Sequence, residues 1–470
     1  MVTLLVLVLY SAALAALGLL VSRRVTHSSD FFVAGRRLSP TLLFSTFLAA
    51  NLGAGTTVGA AEFGYVHGLS AWWWVGSAGI GSLILAFFIG PRIYNVASKH
   101  NLYTVGDYLE LRYSRAVRYL MAGLLWLGSL SILAAQLTAL GLVLNVVTGL
   151  PPQWGTLLGG AIVTIYFTAG GLLSSAWVNL VQVCVKAVGF CLAVPWALSS
   201  VGGWAGISRA VEQHPSLATE TYLSFTGLGL EGIVRYAVIL IPSFIVSPGL
   251  IQKLYGARDE STVRRAVGAQ GVCLLAYSFL PVILGMVAMV RFPQLETPGL
   301  ALPKLLAEGL PVWLGGLMLA AIFSAEVSSA DAVLFMLTTS VARVFVQTAL
   351  RRDFDDAALL RVTRVTAAAA GALGIALAVW LQSILAALEI FYSLLAVSLF
   401  VPLLAGLYSS RPKAGSALAA MAAAAPATAA IHLLTHGAGV GALTPAALGI
   451  LFSAAVFFLF ALRRSESDSV

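Results

Sequence analysis

Two long apolar stretches of this chain are interrupted where a membrane helix should run clean, and they stand five helices apart. The first interruption is Ala49-Ala50-Asn51-Leu52-Gly53-Ala54-Gly55-Thr56-Thr57; the second runs from Pro242 through Ser247-Pro248-Gly249. Backbone that uncoils in lipid strands its N–H and C=O groups. It survives only where protein buries it or where it lines a cavity or binds an ion. Broken helices at matching places in two halves of a sequence point to the binding site of a secondary transporter.

Composition sets the environment. The 470 residues are 59% hydrophobic and 10% charged, with a mean hydropathy of +0.94. At roughly 20 apolar residues per crossing, about thirteen helices use the whole length. They read as spans at 2–22, 40–66, 71–95, 116–147, 154–173, 178–201, 227–252, 266–290, 309–345, 362–382, 384–408, 415–434 and 443–462. No soluble domain fits beside them, so residues 1–470 read as one transmembrane domain. The net charge of +8 does not imply a nucleic-acid partner, because the basic residues sit beside helix ends. Of 27 Lys and Arg residues, 22 fall on one side of the predicted bundle. Only Arg209, Arg291 and Lys304 fall on the other, while Lys186 and Arg235 lie within spans. The positive-inside rule then places the N-terminus outside and the C-terminus in the cytoplasm, across the cell (inner) membrane.

The first segment has no basic start, and Arg23-Arg24 follow it, so it reads as a retained helix and not a signal peptide. Cys184, Cys191 and Cys273 fall inside spans and read as small apolar fillers. His432 and His436 share a helix face with no acid or thiol beside them, which argues against a metal site. The sequence carries no phosphate-binding loop, nucleophile elbow or dinucleotide fingerprint, so ATP-driven pumping and ordinary enzymology lack support.

The ninth span carries Ala325-Glu326-Val327-Ser328-Ser329-Ala330-Asp331. At about 100° per residue, Ala325, Ser328 and Ser329 share a roughly 100° arc, with Asp331 about 60° beyond Ser328. Two hydroxyls, a freed carbonyl and a nearby carboxylate suit a small hard cation that has lost its water. Sodium fits such an oxygen cage, and the break at Ala49–Leu52 could supply further carbonyls. Serine pairs in membrane helices also permit close packing and bond back to their own helix. An acid at mid-membrane is different: it costs about 2.5–3.5 kcal/mol on insertion scales, which marks Asp331 as a functional candidate.

In combination, these residues resemble the sodium:solute symporter family. The resemblance begins at Asp30-Phe31-Phe32-Val33-Ala34-Gly35-Arg36-Arg37-Leu38 and passes through the glycine-rich second span. It includes Thr104-Val105-Gly106-Asp107-Tyr108-Leu109, Thr168-Ala169-Gly170-Gly171, Gln182, Gln252-Lys253, Arg264-Arg265 and Ser328-Ser329-Ala330-Asp331, and covers about 30–410. It implies an all-α, leucine-transporter-like core of two inverted repeats, each of five helices with a broken first helix. Residues 39–201 would form repeat 1 and 202–410 repeat 2. Residues 1–38 would add an N-terminal peripheral helix with its cytoplasmic loop, and 411–470 the C-terminal peripheral helices. The sodium ligands implied by position are Ala49, Leu52, Ala325, Ser328 and Ser329. Many family members carry an aspartate able to serve a second sodium where this chain has Asn179; the negative charge at Asp331 makes Asp331 and Asn179 candidates for a second ion or a proton, and whether one or two sodium ions are coupled stays open. Patterns in the second and sixth spans are closest to the choline-transporter-like and proline-transporter-like branches. Asn51, however, stands where the choline branch carries a cage tryptophan.

Solute is placed between the two breaks, at Asn51, Thr56, Thr57 and Glu62 on one side and Ser243, Ser247 and Gln252 on the other, with Lys186 nearby. Intramembrane Lys186, Glu62 and Arg235 are functional candidates by default, against the alternative of a Glu62–Lys186 salt bridge that only locks the bundle. Trp72-Trp73-Trp74 follows a loop and reads as an interfacial anchor. Gly55xxxGly59 and Gly64xxxGly68 read as close helix crossings. The chain is expected to be a sodium-coupled symporter importing a small polar organic solute by alternating access, as a monomer or weak oligomer. The alternatives are a proton-coupled symporter, or a passive channel or sensor on the same fold.

Overall fold

Local chemistry sets where the helices begin and bend. Ser39 accepts the Leu42 N–H (3.3 Å) and Pro40 takes the first turn of helix α1 (Pro40–Asn51), the position where a missing N–H costs least. After a one-turn 3₁₀ segment at Ala54–Thr56, the chain resumes as α2 (Val58–His67) and returns as α3 (Trp72–Ile84), which continues through a π turn into Gly90–Lys99. The longest helix, α4 (Arg115–Thr148), starts at a Ser114 cap and ends where Gly149 turns left-handed at φ 77°. Then come α5 (Pro152–Phe167), α6 (Leu173–Ser200), α7 (Gly229–Val246), α8 (Pro248–Leu254), α9 (Glu260–Tyr277) and α10 (Phe279–Arg291). They are followed by α11 (Val312–Ser340), α12 (Asp356–Leu381), α13 (Ile384–Tyr408), α14 (Ala414–Leu434) and α15 (Pro445–Glu466).

The computed structural model describes residues 4–6, 8–10, 12, 13, 16, 36, 38–167, 173–340, 356–410, 413–441 and 443–466. The side chains of Asn179, Ser328 and Asp331 lie outside the described residues. Among the described residues every regular element is helical, and eight helical stretches are long and apolar enough to cross a bilayer. Val312–Val327 and Val365–Leu381 are shorter apolar helices. Exposed apolar side chains such as Leu127, Val188, Trp380 and Leu459 suit a surface facing lipid. Cys184 and Cys191 are also exposed and Cys273 is half-buried, all three as free thiols.

The second interruption is narrower than expected. Pro242 sits inside α7 without ending it, and the break falls at Ser247 alone (φ −54°, ψ 115°). Around the first break, α1 packs on α6 and α9, α2 crosses α10, and α11 lies against both α4 and α6. The α2–α10 crossing needs glycine. A Cβ on Gly64 would stand 2.5 Å from the Val282 carbonyl oxygen, and one on Gly285 would meet the Ala61 carbonyl. Such backbone-to-backbone approach is the role of small residues between membrane helices.

Gly285→Ala should therefore cost about 1–3 kcal/mol through overpacking. A lower melting temperature of the purified protein in detergent checks this, whereas Gly123→Ala, which has open space around it, should leave melting nearly unchanged.

Candidate functional site

The α1 ladder stops where the Leu52 N–H reaches the Leu48 carbonyl (3.0 Å). Leu52 then leaves helical geometry (φ −94°, ψ 51°), and Gly53 is extended (φ −98°, ψ −161°). Buried backbone groups need partners, and neighbouring side chains supply them. The Thr56 hydroxyl lies 2.6 Å from the Asn51 carbonyl and 3.1 Å from that of Gly53, while Thr57 Oγ1 lies 2.9 Å from Gly53 O. Gln136 of α4 accepts the Ala54 N–H (3.1 Å), and the Trp74 indole of α3 donates to the Gly55 carbonyl (2.9 Å). Thr56 and Thr57, expected to face solute, are thus engaged in holding the break. Trp74 is no interfacial anchor: it is 2% exposed and packs edge-on to Tyr236 and Tyr392. Trp72 is also turned inward, its indole N–H bonded to the Leu275 carbonyl (3.2 Å).

A cavity of about 10 Å³ lies beside this break, lined by Ala49, Leu52, Gln182, Val183, Lys186, Ala325 and Ser329. That is room for about one water-sized particle. Four of the five expected sodium ligands line it; the Ser328 side chain lies outside the described residues. A Cβ on Gly53 would stand 3.2 Å from Gln136 Oε1 and 3.5 Å from Ser329 Oγ, so α4 and α11 both flank the break and the tight approach is that of Gln136. Gln182 braces the far wall, donating to the Ser324 carbonyl (3.2 Å).

Lys186 corrects the expectation most sharply. It is 1% exposed, and its ammonium donates to the Leu52 carbonyl. It makes no ion pair with Glu62, which faces Gly299 on the short helix before Ala301–Glu308. The sequence separation of 134 between Lys186 and Leu52 hid this contact. Glu326 is fully buried on α11. Its Oε1 lies 3.2 Å from the Thr57 hydroxyl, which also stands against the Gly53 carbonyl, and its Oε2 has no hydrogen-bond partner among the described residues.

Residues expected to touch solute separate into two groups. Ser243 Oγ lies 2.5 Å from the Ile239 carbonyl and 2.6 Å from that of Tyr392, so backbone already engages it. Asn51 is buried with no partner for its Nδ2 among the described residues, and Ser247 and Gln252 are half-buried at the second break. Lys253, next to Gln252, donates to the Thr46 carbonyl of α1 (2.9 Å), tying the two broken helices together. Arg235 pairs with Glu389 of α13 (2.9 Å) beside Tyr236. Among the described residues no group of three metal-binding side chains exists, so His432 and His436 form no such cluster.

Trp74→Phe keeps the ring packing but removes the donor to Gly55, leaving a buried carbonyl short of a partner at about 1–3 kcal/mol. The expected result is a lower melting temperature and faster amide hydrogen exchange at residues 53–57. Unchanged exchange would show that the indole does not hold the break.

The comparisons with known proteins agree with this architecture. The sequence model of the sodium:solute symporter family matches residues 31–423. The chain is 25% identical over 407 residues to the sodium/glucose cotransporter of Vibrio parahaemolyticus, covering 78% of this chain and 73% of that protein. It is 25% identical over 414 residues to the sodium/pantothenate symporter of Escherichia coli (strain K12), covering 84% and 83% respectively. A Na⁺-coupled sialic acid symporter, solved in a substrate-bound outward-open state, shares the fold with a TM-score of 0.79 at 19% identity, with 98% of each chain covered. The expected leucine-transporter-like architecture holds. The chain belongs to the sodium:solute symporter family: it is a multi-pass membrane transporter, not an enzyme, that couples the movement of a small solute to sodium.

Proposed function

We propose that this transporter imports a small polar organic solute by alternating access, with sodium seated in the cavity between the α1 break and α11. The cavity lining carries this reading: Ala49, Leu52, Ala325 and Ser329 meet around a space fit for one small ion. Ser328 completes the ligand set by its position one residue before Ser329. A sodium ion there joins α1 to α11 and favours the shape that accepts solute. Solute closes the outer path, the inner path opens, and sodium leaves to the low-sodium side. Each net charge moved inward gains about 2.3 kcal/mol per 100 mV, close to fiftyfold accumulation.

The solute sits against the breaks, with the Asn51 amide, Ser247 and Gln252 as polar contacts. Trp74, Tyr236 and Tyr392 form an aromatic cluster that meets the break at Gly55, bordered by the Arg235–Glu389 pair. Glu62 faces Gly299 and has no direct part in this arrangement. Asp331 and Asn179 are assigned to a second ion or a proton. The basic residues set the N-terminus outside and the C-terminus in the cytoplasm, in the inner membrane, with residues 39–201 and 202–410 as the two repeats of a single 1–470 domain.

Ser328→Ala with Ser329→Ala tests the ion site. In proteoliposomes with an imposed sodium gradient, the double variant should lose sodium-stimulated uptake while its chromatographic profile stays that of folded protein. Uptake that keeps its sodium dependence would refute the assigned ligands. Uptake driven by a pH gradient without sodium would favour proton coupling, and downhill flux indifferent to either gradient would favour a channel.

A further inference from the structure

A positive charge already stands at the ion cavity. The Lys186 ammonium reaches from α6 to the Leu52 carbonyl, and both residues line the same small space as Ala49, Ala325 and Ser329. A sodium ion using the Leu52 oxygen would share it with a lysine that has nowhere to withdraw into water, because Lys186 is 1% exposed. One acceptor lies within the same buried cluster. Glu326 follows Ala325 of the cavity lining and meets Thr57, while Lys186 meets Leu52 of the same break; among the described residues the two form no ion pair. Glu326 Oε2 has no partner among the described residues. Thr57 stands at the far end of the break.

We propose that Lys186 is an internal cation that competes with sodium for the Leu52 carbonyl, and that sodium binding drives its ammonium across to Glu326. This rests on the sodium reading above and assigns Lys186 a specificity-determining role in it. The exchange needs no change of protonation: the ammonium leaves one oxygen ligand for another while the metal ion takes the first. Two like charges within a few ångströms repel strongly at low dielectric, so the site admits sodium only when the lysine moves. That movement transmits ion binding to both ends of the break, through Leu52 at one end and through Glu326 and Thr57 at the other. In the sodium-free chain, Lys186 satisfies the carbonyl that the uncoiled segment exposes, so the break persists without an ion.

The test is sodium binding to the purified full-length chain in detergent, without solute or gradient. Sodium chloride replaces N-methylglucamine chloride at constant ionic strength, and tryptophan fluorescence and melting temperature are followed. Lys186→Gln and Lys186→Met remove the competing charge, one keeping a neutral donor and the other none. Both should reach half-saturation at a sodium concentration about tenfold or more below that of the natural chain, as expected for removing a buried like charge. Lys186→Arg keeps the charge and should need as much sodium as the natural chain or more. Half-saturation that is unchanged or raised in folded Lys186→Gln and Lys186→Met would overturn the proposal. Ser329→Ala, made in the Lys186→Gln background, separates the two readings. If it weakens sodium binding but Lys186→Gln had not strengthened it, competition fails and the sodium site stands. If it leaves sodium binding unchanged, the site assignment itself fails, and the proposal with it.

Discussion

The structure depends on how a helix is allowed to stop inside a membrane. Uncoiling at Leu52 frees backbone groups that water cannot reach, each costing about 1–3 kcal/mol if left without a partner. The protein meets this need locally. Thr56 and Thr57 fold back onto the Asn51 and Gly53 carbonyls, Gln136 takes the Ala54 N–H, and Trp74 covers the Gly55 carbonyl. The Leu52 carbonyl is treated differently. Its partner is a buried cation, and the cavity at its side is bounded by α11 hydroxyl and backbone groups. Most of the break is therefore fixed by neutral side chains, while the Leu52 carbonyl is met by the buried Lys186.

That division separates scaffold from moving part. At the break α1 meets α3 through Trp74, α4 through Gln136, α6 through Lys186 and Gln182, and α11 through Ser329 and Glu326. A cation that changes its grip on Leu52 changes the energy of all the contacts among them. Glycines keep the surrounding helices near enough for this to be felt. Gly53 lets Gln136 approach, and Gly64 and Gly285 let α2 lie backbone to backbone on α10. Lys253 and the Arg235–Glu389 pair extend the link to the second break, since one reaches α1 and the other joins α7 to α13.

The first break was legible because Gly53 and Gly55 interrupt an apolar run, and composition alone allows no soluble alternative. The cavity beside it was half legible: helical spacing put Ala325, Ser328 and Ser329 on one face, the family resemblance added Ala49 and Leu52, and Ala49, Leu52, Ala325 and Ser329 line it. Pro242 misled, because proline inside a membrane helix need not end it, and the hydroxyl of Ser243 settles on nearby carbonyls. Thr56 and Thr57 were read as solute contacts, since nothing in a sequence shows whether a hydroxyl turns outward or back onto its own backbone. The tryptophan run misled in the same way, its loop position masking an inward orientation. Lys186 and Glu326 were visible as intramembrane charges, but their partners depend on which helices become neighbours, and α6 and α11 lie more than a hundred residues apart in the chain.

The most direct measurement is a pair of cryo-electron microscopy structures of the full-length protein, one in sodium and one in N-methylglucamine. The account predicts a density peak in sodium among the Ala49, Leu52 and Ala325 carbonyls and the Ser329 hydroxyl, absent in its counterpart, with α1 uncoiled at Leu52 in both. An empty cavity at saturating sodium, or a continuous helix through residues 49–57, would contradict it.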